Sequence, residues 1–180
     1  YLDEKIKDLE NTTPSMLELF DLINLAKIKD FEYVVMEVSS HALMQGRCDY
    51  ISFNYAIFTN LTQDHLDYHK TFNNYALAKQ RLFKELCHGK NIINNDSNYA
   101  EFFKVGDFVT YGFNKSDYII NYDNEMKING CKYEMSLIGK HNVYNMSCVI
   151  ILLKLLSIEE EKIYECVKAL TPPPEIGRAS

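Results

Sequence analysis

The sequence has no long apolar run. Its longest, Val149 to Leu156, is broken by Lys154 and falls far short of a bilayer span. The first residues lack the basic-then-apolar order of a signal peptide, so a cytoplasmic protein without a membrane partner is expected. Charge runs are absent too. The 19 basic and 25 acidic side chains sum to −6 without a basic patch, which argues against a nucleic-acid partner. The five cysteines, Cys48, Cys87, Cys131, Cys148 and Cys166, are odd in number and never spaced C-x-x-C. That excludes a disulfide framework and a zinc knuckle, and free thiols are expected. Neither G-x-x-x-x-G-K-[ST] nor G-x-G-x-x-G occurs. The chain starts at Tyr1 without methionine and closes on Pro172-Pro173-Pro174 and a short tail to Ser180, so both ends read as cut edges of a longer polypeptide.

What is present is an alternation of strand and helix signals. With 180 residues and 47% hydrophobic side chains, one domain with a real core is expected. Leu19, Leu22, Ile23 and Ala26 predict an amphipathic helix over 18–27, started by Thr13-Pro14-Ser15. Tyr33 to Val38 and Tyr55 to Thr59 predict buried strands, and Asn91 to Asn94 a third. Helices are predicted over 75–86, 142–156 and 159–170, with Asn142 as the N-cap of the second. Short alternating stretches from Asp117 to Ile138, around Asp123-Asn124 and Asn129-Gly130, predict a small antiparallel patch. The fold class is therefore α/β, a mostly parallel sheet flanked by helices, where ligands gather at the carboxyl ends of strands.

Two polar clusters follow predicted strands. Asn60 to His69 holds Asp64, His65, Asp67 and His69, and the other cluster holds Glu37, Ser39, Ser40 and His41. Solvated groups are costly at such places unless something binds them, and a carboxylate with a histidine could share a cation. The plainer alternative is a loop of locally hydrogen-bonded groups. Lys79 by pattern is a helical lysine whose stem packs and whose ammonium reaches water. Gln45-Gly46-Arg47 by pattern is a surface turn.

The order and spacing of several strings carry more. Asn11-Thr12-Thr13-Pro14, Glu37-Val38-Ser39-Ser40-His41-Ala42-Leu43, Gln45-Gly46-Arg47, Phe58-Thr59-Asn60-Leu61-Thr62-Gln63-Asp64-His65-Leu66-Asp67-Tyr68-His69, Ala78-Lys79 and Gly139-x-His-Asn-x-x-Asn together resemble the UDP-N-acetylmuramoyl-tripeptide synthetase branch of the Mur ligases. The resemblance covers nearly the whole chain. The folate-adding synthetases share the D-H-x-D string and a carbamylated lysine, but the strings from Asn11 to Pro14 and from Glu37 to Arg47 favour the cell-wall branch. Two departures stand out: His141 lies where this branch more often has phenylalanine, and Gly177-Arg178 lacks the usual methionine-acid continuation.

The resemblance implies a P-loop-NTPase-like central ATP-binding domain over 1–171 and a linker over 172–180. It implies ATP-dependent amide formation in peptidoglycan synthesis and cell wall biogenesis, with ATP and Mg2+ as cofactors. The substrates it implies are the UDP-N-acetylmuramoyl dipeptide and a diamino acid. By the same transfer, Glu37, His65 and carbamylated Lys79 serve the metal sites, with His65 and Lys79 at the chemistry. Thr12, Thr13, Ser40, Gln45 and Arg47 match substrate-binding positions, and Asn60, Asn142 and Asn145 match positions near ATP. The phosphate loop, the UDP-binding domain and the domain selecting the amino acid are implied to lie elsewhere on the same polypeptide, so the chain alone is expected to be inactive. Two alternatives remain open: a metal-dependent hydrolase using Glu37, Asp64, His65 and His69, and a non-catalytic ligase-like binding module.

Overall fold

The computed structural model describes residues 12–62, 66–123, 125–136 and 139–170. Asn11, the Gln63-Asp64-His65 triplet, Asn124 and the segment from Pro172 to Ser180 lie outside the described residues. Contacts divide the chain into two compact units, Tyr1–Phe53 with Gln63–His88, and Asn54–Thr62 with Gly89–Ser180.

In the first unit, α1 (Met16–Ile28) starts at Ser15, whose hydroxyl accepts the Glu18 amide. Glu18 in the first turn and Lys27 in the last suit the helix dipole. The short α2 (Ser40–Met44) is capped by Ser39, which accepts the Ala42 amide at 3.2 Å. After α3 (Leu66–His69), Thr71 caps α4 (Phe72–Arg81) through the Asn74 amide. The helix expected over 75–86 is thus α4 followed by a π-helical turn, Leu82–Leu86, in which the Cys87 amide returns to the Leu82 carbonyl. Leu19, Ala42, Leu43, Cys48 and Leu86 form this unit's core. Arg81 ties its elements: the guanidinium donates to the Leu43 carbonyl and pairs with Asp49 at 3.0 Å and Glu85 at 2.8 Å.

One expected element does not form. The segment Tyr33 to Val38 is extended but is not a strand, and Tyr33, Val34 and Val35 are 54%, 56% and 88% exposed. A β-branched run becomes a strand only through a ladder with a neighbour. Among the described residues no strand pairs with it. Glu37 therefore does not lie at the end of a buried strand.

The second unit is built on a six-stranded sheet in sequential order, β1 (Phe53–Phe58), β2 (Cys87–Asn94), β3 (Asp107–Gly112), β4 (Tyr118–Tyr122), β5 (Met126–Ile128) and β6 (Cys131–Tyr133). β2, β3 and β4 run parallel, while β4, β5 and β6 are antiparallel. The expected patch is this last part. Ile128 faces Cys131 across a two-residue turn in which Asn129 and Gly130 both take positive φ, 48° and 86°. β3 and the short α5 (Ala100–Phe103) were not anticipated, although Phe108-Val109-Thr110-Tyr111 between Gly106 and Gly112 carries a strand signal.

Two helices cover the sheet. α6 (Lys140–Leu155) packs on β3 and β4, and α7 (Glu160–Ala169) on β6. They bury Ile92, Tyr111, Ile120, Val143, Ile150, Ile151 and Ile163 in one core. The cap of α6 is Gly139, at φ 106°, a conformation that a side chain disfavours. Asn142 is not the N-cap but sits inside the first turn. Among the described residues no helix is long and apolar enough to cross a membrane, and all five cysteines are free.

Candidate functional site

In the first unit, Thr13 organises the residues around Glu37. It is fully buried; its hydroxyl donates to the Glu37 carbonyl at 2.9 Å and accepts the Ser39 amide at 2.9 Å. The Arg47 Nη1 donates to the Thr13 carbonyl at 2.7 Å, and its Nε donates to Gln45 Oε1 at 2.8 Å. Thr13, Gln45, Arg47 and the backbone of Glu37 are thereby joined in one hydrogen-bonded set. The Glu37 side chain is left exposed, as is Thr12.

A second set surrounds His69. The ring is buried, with Nε2 2.9 Å from the Ser40 hydroxyl, which is itself buried. The rings of His41, Tyr68 and Tyr75 lie 5.6, 5.0 and 5.2 Å from it, centroid to centroid. Lys79 extends the set, with Nζ 5.7 Å from the centroid of the Tyr75 ring. A buried His69, packed among rings, is poorly placed to hold a metal-bound water, which weakens the hydrolase alternative.

Among the described residues no group of three or more His, Cys, Asp or Glu side chains could hold a metal ion. Asp64 and His65 lie outside the described residues. The exposed Glu37 carboxylate is a hard oxygen donor that fits a magnesium ion completed by water and phosphate.

In the second unit, polar groups gather where β1, β2 and β3 end. Asn60 Oδ1 accepts the Leu61 amide at 2.8 Å and the Ser97 hydroxyl at 3.2 Å. Asn94 Nδ2 donates to the Thr59 carbonyl at 2.8 Å, and its Oδ1 accepts the Asp96 amide. Asp96 Oδ2 accepts the Phe113 amide at 2.6 Å and the Tyr144 hydroxyl at 2.8 Å. Its Oδ1 accepts the Asn114 side-chain amide at 2.6 Å and, at 3.4 Å, the Asn114 backbone amide. Burial opposes ionisation of Asp96, but these bonds outweigh it and hold the carboxyl below its ordinary range. On α6, Asn142 is half-buried and Asn145 exposed, while Lys140 Nζ lies over the rings of Phe113 and Tyr144 at 5.1 and 5.7 Å. Sequence reasoning missed Asn94-Asn95-Asp96-Ser97, although four polar residues directly after Ile92-Ile93 carry the same signal as the two clusters it found.

Comparison with known proteins agrees with this architecture. The family model of the Mur ligase middle domain matches residues 2–153. The UDP-N-acetylmuramoyl-L-alanyl-D-glutamate--2,6-diaminopimelate ligase of Fusobacterium nucleatum is 37% identical over 190 aligned residues, covering 96% of this chain and 38% of that protein. The protein of the same name from Caldanaerobacter subterraneus is 32% identical, covering 98% of this chain and 40% of its own length. The chain thus spans about two fifths of the curated relatives it matches. A solved structure of such a diaminopimelate ligase superposes with a TM-score of 0.80 at 26% identity, over 94% of this chain and 39% of that one. A pseudomurein peptide ligase type C from Methanothermus fervidus, at 16% identity, a TM-score of 0.61 and coverage of 76% and 38%, shares the fold. By sequence over most of its length and by fold, the chain belongs to the Mur ligase middle-domain family.

Proposed function

We propose that the full-length protein is a cytoplasmic, ATP- and magnesium-dependent ligase that joins 2,6-diaminopimelate to UDP-N-acetylmuramoyl-L-alanyl-D-glutamate in peptidoglycan synthesis. This chain is its central part. The observation that supports the reading best is that relatives 32–39% identical over most of the chain carry that ligase's name. Relatives at this identity carry a ligase's name, and the hydrolase reading is not favoured.

A carboxylate is a poor electrophile. Transfer of the γ-phosphoryl of ATP to the substrate carboxylate makes an acyl phosphate and ADP. The incoming amine then bonds to the acyl carbon, phosphate leaves with the C–O bond, and the amine loses a proton. Magnesium, when bound, neutralises charge on the phosphoryl group. Glu37, His65 and carbamylated Lys79 would hold it, with Thr13 fixing the backbone that carries Glu37. Carbamylation would need the neutral amine of Lys79, whose Nζ lies 5.7 Å from the Tyr75 ring centroid. Arg47, Gln45 and Thr12 would bind the UDP-sugar dipeptide, with the guanidinium suited to carboxylate or phosphate. Thr13 and Ser40, both buried, would act by positioning the chain around them. Asn60, Asn142 and Asn145 would face ATP.

The test is phosphate release by the full-length enzyme with ATP, magnesium and UDP-N-acetylmuramoyl-L-alanyl-D-glutamate, adding 2,6-diaminopimelate or lysine, in wild type and Lys79→Ala. Release that depends on diaminopimelate and collapses in the variant is expected. No release with either amino acid would overturn the reading.

A further inference from the structure

We propose that Asp96 is a positioning residue for the nucleotide site, fixing through Tyr144 the rotation of α6 and so the direction in which Asn142 and Asn145 point. This rests on the proposed nucleotide role of Asn60, Asn142 and Asn145.

The loop Asn94 to Ser97 bonds in three directions. Asn94 holds the Thr59 carbonyl and Ser97 holds the Asn60 side chain, so the end of β1 is tied to the end of β2. Asn95 Nδ2 donates to the Lys115 carbonyl at 2.6 Å, and Asp96 takes the amides of Phe113 and Asn114, so the turn after β3 is tied as well. The third direction is α6, reached by the Tyr144 hydroxyl. A continuous path therefore runs from Asn60 through Ser97 and Asp96 to the first turns of α6.

The helical period makes this bond directional. Asn142 and Asn145 are three apart and lie as neighbours on one face. Tyr144 is about 100° around the axis from Asn145 and about 200° from Asn142. Together with the buried Val143, Ile150 and Ile151, a fixed Tyr144 hydroxyl therefore holds the direction in which the asparagine face points. The edges of the rings reinforce the contact, with Phe113 and Tyr144 at 5.3 Å and 84°. Space for the carboxylate depends on Gly112, since a Cβ there would lie 2.9 Å from the Asp96 carboxyl carbon. Asparagine at 96 keeps only one acceptor oxygen where the carboxylate offers two. Its amide nitrogen would face donors from Phe113, Asn114 or Tyr144.

The test uses the full-length enzyme. Tyr144→Phe removes only the hydroxyl and keeps the ring; Asp96→Asn changes the acceptor; the double variant combines them. Thermal midpoints and circular dichroism monitor folding. The expected result is a KM for ATP raised about tenfold by Tyr144→Phe and at least as much by Asp96→Asn. The KM for the UDP-dipeptide and kcat at saturating ATP stay within about twofold, as for an interaction confined to the nucleotide side. Because the two residues share one interaction, the double variant is no worse than Asp96→Asn. An unchanged KM for ATP in folded Tyr144→Phe overturns the positioning role, as does an equal rise in both KM values. Wild-type enzyme that does not bind ATP overturns the nucleotide assignment itself, a separate failure.

Discussion

The Ser40 hydroxyl lies 2.9 Å from Nε2 of His69, with both groups buried, so two residues from separate polar strings in the sequence form one internal pair. Such a pair must be made on folding, because a buried polar atom that loses its partner keeps its desolvation penalty. Ser40→Ala is expected to destabilise the full-length protein by about 1–3 kcal/mol. Urea denaturation measures it, and a loss below about 0.5 kcal/mol, the range of ordinary surface substitutions, would contradict the pairing.

Stability should fall in acid through two aspartates. Asp96 is held below the ordinary carboxylate range as described above, and Asp117 is held below it by the hydroxyl and amide of Thr110, both on Oδ2 at 2.7 and 2.8 Å. A depressed folded-state value means that the unfolded chain binds the proton more readily. The stabilisation is therefore full above the unfolded value of about 3.9 and is lost as pH falls through the lower folded values. Denaturation followed from pH 6 downward should show an acid limb that flattens in Asp96→Asn and Asp117→Asn. A limb of unchanged slope in both variants would refute the assignment.

Gly89 lies where two strands approach closely, and a Cβ there would sit 1.9 Å from the Asn54 carbonyl oxygen. The obstacle is backbone, which cannot swing aside like a side chain. Gly89→Ala should cost about 1–3 kcal/mol or more by overpacking, read as a lower thermal midpoint. A midpoint equal to wild type would mean that β1 and β2 separate more easily than their hydrogen bonding suggests.

Thiol reactivity should divide the cysteines. Burial pushes the Cys148 thiol up to about 11 and raises Cys48 above its ordinary value, whereas Cys131 and Cys166 are exposed. Since the thiolate is the nucleophile, iodoacetamide at pH 8 should label Cys131 and Cys166 first. Cys48 and Cys148 should react only on unfolding, as peptide mass spectrometry would resolve. Early labelling of Cys148 would contradict its burial.

The sequence by itself determined the features that depend on local order. The spacing of Leu19, Leu22, Ile23 and Ala26 specified α1, the run Ile92-Ile93 marked β2, and Asn129-Gly130 specified the hairpin through the positive φ both residues tolerate. The spacing of the polar strings was enough to identify the family. Tertiary structure decided the rest. Val34 and Val35 have the side chains of a buried strand, yet a strand exists only where another backbone supplies its ladder. The pairing of Ser40 with His69, and of Asp96 with Tyr144 across 48 positions, joins residues remote along the chain. Local periodicity carries no trace of such bonds, because their geometry is set by how helices and strands pack and not by the residues beside them.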